Sequence, residues 1–355
     1  MKLIDWGLNK LIGEIKVSPS LCVHTCSPQA SCSLCADICP EQGIQLTDKG
    51  PLVQSCRACG RCVRDCPERV FTLDAFLLAD YISKKDRLVI GCSHDPGEAR
   101  VDGRISCFTQ LEPEWLAPIL AKTDQLVLYV DQKACDSCVN DWSSESLTVR
   151  LDRLTIPHRD RLLIIRDPAA LERFFDRKRS RRAFIADGFQ YLQETGKKEW
   201  QLQLAYYASQ SAERRLPRRS LLIKPFQVAE DLALDQELPY RSLEAAACQF
   251  CGACSKICPH GALRMDEIDG GALLAYAPVL CSQCGLCRDI CPVDGLHWQA
   301  PLKVADIVSP AWQPLAEVSD QVCSLCGEAF HELPVQEPAI CRFCRVRQNS
   351  SQIKK

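Results

Sequence analysis

A chain of 355 residues has room for two or three domains, each with a core of its own. Lys+Arg 43 against Asp+Glu 45 leaves a net charge of −2, which gives no general attraction to nucleic acid or to an anionic surface, and 46% hydrophobic with 25% charged residues is ordinary for a globular protein. No stretch approaches the roughly 20 apolar residues of a membrane span. The anomaly is 25 cysteines, spaced repeatedly as C-x2-C. Two thiolates on one tight turn converge on one metal, whereas such close neighbours rarely meet disulfide geometry, so chelation is the expected use.

Residues 1–19 carry a short amphipathic pattern (Leu3, Ile4, Leu8, Leu11, Ile12) interrupted by Asp5. It lacks an unbroken apolar region and a small-residue cleavage site, so no secretory signal is expected and a cytoplasmic location is. Residues 20–80 hold two cysteine runs, Cys26-x5-Cys32-x2-Cys35-x3-Cys39-Pro40 and Cys56-x2-Cys59-x2-Cys62-x3-Cys66-Pro67.

Across residues 86–170 short apolar runs alternate with helical patterns. Strands are expected at Leu88–Cys92, Arg104–Cys107, Leu126–Val130 and Arg161–Ile165, with helices from about Glu112–Trp115 to Lys122 and through Leu154. That alternation predicts a small parallel α/β domain, in which ligands sit beyond the carboxyl ends of strands. Cys92, Cys107, Cys135 and Cys138 all fall there. No G-x-G-x-x-G fingerprint occurs, so the chain is not expected to bind flavin or nicotinamide itself.

Residues 171–245 read as helical and basic. Leu171, Phe174, Phe175, Ile185, Phe189 and Leu192 stand at helical spacing, with Arg177–Arg182 as one basic cluster and Arg214, Arg215, Arg218 and Arg219 as another. These arginines form either a solvated face or a docking patch for an acidic redox partner. Nucleic-acid binding is not expected, because no aromatic ladder accompanies the charge.

Residues 246–300 bring two more runs, Cys248-x2-Cys251-x2-Cys254-x3-Cys258-Pro259 and Cys281-x2-Cys284-x2-Cys287-x3-Cys291-Pro292. A linker with Pro301, Pro310 and Pro314 follows. The tail, 320–346, has Cys323-x2-Cys326 and Cys341-x2-Cys344 separated by fourteen residues. This spacing reads as a zinc-knuckle-like module, with a rubredoxin-like single iron as the alternative. His331 between the pairs is expected to be a loop residue rather than a ligand.

The four-fold C-x2-C-x2-C-x3-C-P pattern resembles bacterial dicluster ferredoxins, over about 60 residues at each of two places. In that family three thiolates of one loop hold a cubane and the fourth reaches the sister cluster. The resemblance implies four [4Fe–4S] clusters. The first would take Cys26, Cys32, Cys35 and Cys66, and the second Cys56, Cys59, Cys62 and Cys39. The third would take Cys248, Cys251, Cys254 and Cys291, and the fourth Cys281, Cys284, Cys287 and Cys258. Gly60, Gly252 and Gly285 would let backbone N–H groups approach the sulfurs. The first run departs from the pattern in its long first gap: Cys22 can replace Cys26, or the site can hold a [3Fe–4S] cluster. Zinc at every site is the competing reading, disfavoured because zinc modules need no crossed fourth Cys-Pro.

The central domain, with Gly91-Cys92 and Cys107 at strand ends followed by Cys135-x2-Cys138, is similar to the delta subunit of methyl-viologen-reducing hydrogenases and to heterodisulfide-reductase-associated domains. That resemblance implies a [2Fe–2S] cluster on these four thiolates and electron delivery to a flavin-containing partner. Buried structural cysteines with a redox C-x2-C pair, or a zinc site, are the alternatives.

The expected architecture is α+β and multidomain: two ferredoxin-like dicluster units flank the parallel α/β domain, and a metal-binding tail follows. The expected function is one-electron transfer between a dehydrogenase-, hydrogenase- or heterodisulfide-reductase-type partner, flavin- or metal-containing, and a second acceptor, in anaerobic metabolism. A redox enzyme acting at Cys135/Cys138, or a redox-sensing scaffold, would be the rivals. The first has no acid–base constellation, since His94 and His158 are isolated in the sequence.

Overall fold

The computed structural model describes residues 15–73, 87–94, 99–138, 140, 144–154, 156–176, 217–227, 229, 233–308, 311–335 and 337–352. The chain divides into two compact units, residues 1–25 with 33–232, and 26–32 with 233–355. The amphipathic pattern of residues 1–14, the cluster Arg177–Arg182, and Arg214 and Arg215 lie outside the described residues.

The first unit begins with strand β1 (Lys16–Val17). A hairpin of β2 (Ile44–Thr47) and β3 (Gly50–Val53) follows, then β4 (Phe71–Thr72), antiparallel to β1. Short helices Leu34–Asp37 and Arg61–Asp65 each precede a strand. Ile44, Val70 and Phe71 form the apolar floor, and Cys22, Cys35, Cys62 and Cys66 are buried in the same cluster.

Further along this unit, β5 (Arg87–Cys92), β6 (Gly103–Ile105), β7 (Gln125–Tyr129) and β8 (Leu162–Ile165) build a parallel sheet in the order β6-β5-β7-β8. Leu88, Val89 and Ile90 are at most 1% exposed, as the middle of a sheet covered on both faces requires. The helices are Pro113–Leu120, Ser144–Leu154 and Pro168–Asp176. Asp131 caps the short helix Gln132–Asp136 by accepting the Ala134 N–H at 3.0 Å.

The second basic cluster is not a solvated face at the two arginines that can be placed. Arg219 is 3% exposed. Arg218 donates to the carbonyls of Arg64 and Cys66, the latter at 3.1 Å, so it braces the segment that carries Cys66. A run of arginines reads as surface in sequence because carbonyl acceptors elsewhere in the chain carry no sequence mark.

Two expectations for the second unit need correction. Residues 237–245, assigned to the basic helical segment, form the strand β9 (Glu237–Ala245). It buries Leu238 and Leu243 and pairs antiparallel with β12 (Leu296–Lys303). Between them lies a hairpin of β10 (Leu263–Ile268) and β11 (Gly271–Tyr276). The proline-containing stretch after residue 300 is also structured. Pro301 lies between two register shifts in β12, residues Val304–Val308 are helical, and β13 (Gln313–Ser319) adds to the edge of β11. Pro314 faces Ala275 at an irregularity of this edge strand, where a missing N–H costs no ladder bond.

Helix Ala253–Ile257 leads into β10 and helix Leu286–Asp289 into β12. The order strand, helix, hairpin, helix, strand therefore recurs at residues 16–72 and 237–303. The tail holds a small hairpin, β14 (Gln321–Val322) with β15 (Ala329–Phe330), and a helix Arg342–Gln352. Among the described residues no helix is long and apolar enough to cross a membrane.

Matching glycines close the two hairpin arrangements. Gly43 lies against the backbone of Ser55 and Gly295 against that of Ala247, and a Cβ at either would collide with the carbonyl oxygen. Ser55 and Ala247 each immediately precede the first cysteine of the sister run. Gly43→Ala and Gly295→Ala should therefore each lose about 1–3 kcal/mol, read as a lower denaturant midpoint in the anaerobically prepared protein. An unchanged midpoint would show that the backbones yield.

Candidate functional site

The four cysteine runs share one backbone pattern. The third residue after each final cysteine, Gln42, Arg69, Gly261 or Asp294, has φ between 47° and 61°. In three runs the residue two after the first cysteine is also left-handed: Ala58, Phe250 and Gln283. Left-handed Gly60, Gly252 and Gly285 then start the helix. These kinks point amides at sulfur. Ala58, Phe250 and Gln283 donate N–H to Cys56, Cys248 and Cys281 at 3.3–3.4 Å. Val70, Ala262 and Gly295 donate to the final cysteines Cys66, Cys258 and Cys291 at 3.3–3.4 Å. Amides aimed at sulfur stabilise thiolate, the state a metal ligand needs.

Cys39 from one run joins Cys56, Cys59 and Cys62 from the next around a partly open pocket, with Ile15, Ile44 and Val53 as apolar wall. A similar pocket in the second unit is lined by Cys248, Cys251, Cys254 and the crossed Cys291, with Met265, Leu274 and Leu296. Around Cys287, the thiols of Cys281 and Cys258 are close enough to repel its negative charge. Cys284 is half-buried on the loop between Cys281 and Cys287, and Cys251 is exposed.

Burial and neighbouring thiols push Cys254 up to about 12, and push Cys62 and Cys287 upward in the same way. Such a set ionises when a cation arrives to balance it. The donor set, three thiols of one loop with a crossed fourth, fits an iron–sulfur cluster. All 25 cysteines are without disulfide bonds.

The first run is different. Ser33 stands where the others have a left-handed glycine, and its φ is −122°. Cys26 is exposed and Cys32 half-buried, and both belong to the segment grouped with the second unit. Cys22, Cys35 and Cys66 are buried together in one apolar cluster. The set Cys26, Cys32, Cys35, Cys66 is thus not gathered within one unit.

In the central sheet, Cys92 ends β5, Cys107 follows β6, and Cys135 and Cys138 follow β7. The four thiols are near enough that Cys92 feels the charges of the other three. Burial pushes Cys92 up to about 12 and Cys135 up to about 11. The amide two residues on donates to Cys92 from His94 at 3.4 Å and to Cys138 from Asn140 at 3.5 Å, the motif seen in the cysteine runs. Asn140 is fully buried, yet its side-chain oxygen and nitrogen have no hydrogen-bond partner. An orphaned buried amide on the residue bound to the Cys138 thiol fits a site built around a further group. His94 is bound to the Ser106 carbonyl at 3.0 Å, so it is anchored rather than poised as a base.

In the tail, the sulfurs of Cys323, Cys326, Cys341 and Cys344 lie within 4.8 Å of one another, and Cys326–Cys341 is 3.8 Å. Four thiolates about 2.3 Å from one tetrahedral ion are separated by roughly 3.8 Å, so this site fits a single metal ion. The Cys341 N–H donates to Cys323 at 3.3 Å and, with further amides, lowers that thiol to about 6, while hydrogen bonding to Cys326 raises Cys344 to about 12. His331 pairs with Asp320 at 2.6 Å, away from a ligand role. Metal binding must displace the protons that remain on these thiols, so affinity rises with pH. Cys323 is already ionised at pH 7, and below about pH 6 it adds one more proton to the competition. Zinc titrations from pH 5 to 8 should therefore show a log-affinity slope steeper by about one unit below pH 6. A slope constant across that range would contradict this order of ionisation.

Residues 247–295 match the family described as a 4Fe-4S dicluster domain. No curated protein and no solved structure matches the chain. The matched stretch contains both cysteine runs of the second unit and the pocket lined by Cys248, Cys251, Cys254 and Cys291. The chain therefore carries a ferredoxin-like iron–sulfur domain, a module whose general role is electron transfer.

Proposed function

We propose that the protein is a multi-cluster electron carrier with [4Fe–4S] clusters at four sites. The observation that carries this is the recurrence, outside the matched domain, of the same construction at residues 16–72. There a crossed final cysteine, Cys39, joins a C-x2-C-x2-C loop around a pocket with amide donors on the sulfurs. The sets are Cys56, Cys59, Cys62 and Cys39; Cys248, Cys251, Cys254 and Cys291; and Cys281, Cys284, Cys287 and Cys258. For the remaining site, Cys35 and Cys66 are joined by Cys22, which is buried beside them in one apolar cluster.

Cys92, Cys107, Cys135 and Cys138 hold a [2Fe–2S] cluster, supported by the amide donors on Cys92 and Cys138 and by the orphaned Asn140 amide. The tail holds zinc on Cys323, Cys326, Cys341 and Cys344 as a structural site, since all four positions of the tetrahedron are protein thiols. The clusters exchange single electrons. The chain's own contribution is to hold each thiolate, donate amide hydrogen bonds that adjust its charge, and wall the site with apolar side chains. The partners are a flavin- or metal-containing oxidoreductase and a second acceptor.

Anaerobic purification should yield about eighteen irons per chain, about sixteen in cubanes and two in the central site, with zinc near one. About eight irons would limit the clusters to the matched domain and overturn the four-site reading.

A further inference from the structure

Three consecutive residues of the first unit, Cys59, Gly60 and Arg61, press against the segments that carry two of the central cysteines. Thr109 lies two residues beyond Cys107 and is 4% exposed. Its hydroxyl donates to the Cys59 carbonyl. Its backbone amide lies against the Cys107 thiol, which feels the charge of Cys59 as well. Gly60 comes next. A Cβ on it would stand 2.6 Å from the Gln110 Cβ, so a side chain here would force the seam apart. One residue on, the Arg61 guanidinium donates to the Asn140 carbonyl at 3.2 Å, and the Asn140 N–H donates to the Cys138 sulfur at 3.5 Å.

Two hydrogen-bonded paths thus run from a single cysteine loop to two thiols of the central set. One passes from Cys59 through Thr109 to Cys107; the other passes from Arg61 through Asn140 to Cys138. Thr109 and Asn140 are buried, so the paths cross packed protein rather than water. Hydrogen-bonded contacts carry electronic coupling better than gaps, and burial lowers the solvent reorganisation that accompanies a charge change.

We infer that this seam is an electron bridge, with Thr109 and Asn140 as positioning residues joining the cluster on Cys39, Cys56, Cys59 and Cys62 to the central four-cysteine centre. The inference rests on the cluster assignments proposed above and adds the connection between two of them. One electron crosses: the cubane side is oxidised by one unit and the central side reduced by one, with no bond broken and no proton moved. An external low-potential one-electron donor supplies that electron.

The full chain, prepared without oxygen, tests this by electron paramagnetic resonance during stepwise reduction. The bridge predicts that the signals of the central centre and of the neighbouring cubane split or broaden once both are reduced, and that the cubane signal loses this splitting in Cys135→Ser, which lacks the central centre. Photoreduction kinetics then read the bridge itself. Thr109→Val keeps the shape but removes the hydroxyl and should slow transfer roughly tenfold, equal to ~1.4 kcal/mol of barrier, whereas Thr109→Ser should restore it. A wild-type chain with both centres present but no spin interaction overturns the bridge alone, and needs no variant to fold. Equal rates in wild type and Thr109→Val overturn the role of Thr109. A central site without iron overturns the cluster assignment and the bridge with it.

Discussion

Thiols buried in apolar surroundings resist ionisation, and the structure depends on that resistance being overcome. Cys62, Cys254 and Cys287 sit among other thiols and hydrocarbon, and burial pushes each of them upward. A cationic iron–sulfur core would remove the conflict by supplying the charge that draws off the protons. The apolar walls at Ile44, Val53, Leu274 and Leu296 then serve both as protein core and as the low-dielectric shell of the sites. In this protein the cysteines are part of the hydrophobic core, packed with Phe71 in one unit and with Tyr276 in the other.

The backbone accommodates this through repeated kinks rather than through long regular elements. Helices of four or five residues carry the cysteine runs, too short to be stable from their own hydrogen bonds. They are held by left-handed residues at their starts, by amide-to-sulfur bonds, and by Gly43 and Gly295 packed on a neighbouring carbonyl. Folding of these segments and loading of their sites are one process in this view. The parallel sheet differs, since Leu88, Val89 and Ile90 supply an ordinary apolar core. It offers a rigid edge on which the Cys59 loop rests through Thr109.

Much of this was legible because cysteine spacing and apolar runs are local signals. The C-x2-C-x2-C-x3-C-P runs mark loop, helical turn and strand in order, and the strands of the parallel sheet coincide with Leu88–Cys92 and Leu126–Val130. β9 was missed because its alternation is diluted by Glu237, Pro239 and Arg241, and its partner β12 lies some fifty residues away. β13 was hidden by Pro314, which is tolerated only because the strand is an edge. Arg218 as a brace, Asn140 as a buried amide and Thr109 as a seam residue left no trace in sequence. Their roles come from carbonyls and sulfurs distant along the chain. At the first run the sequence offered Cys22 and Cys26, of which Cys22 is buried and Cys26 exposed.

Anomalous diffraction at the iron and zinc edges, from crystals grown without oxygen, tests the account most directly because it locates each metal among named sulfurs. Compact iron density should lie between Cys39, Cys56, Cys59 and Cys62 and between Cys248, Cys251, Cys254 and Cys291, with a zinc peak among Cys323, Cys326, Cys341 and Cys344. Single zinc peaks within the cysteine–proline runs, with no iron there, would contradict it.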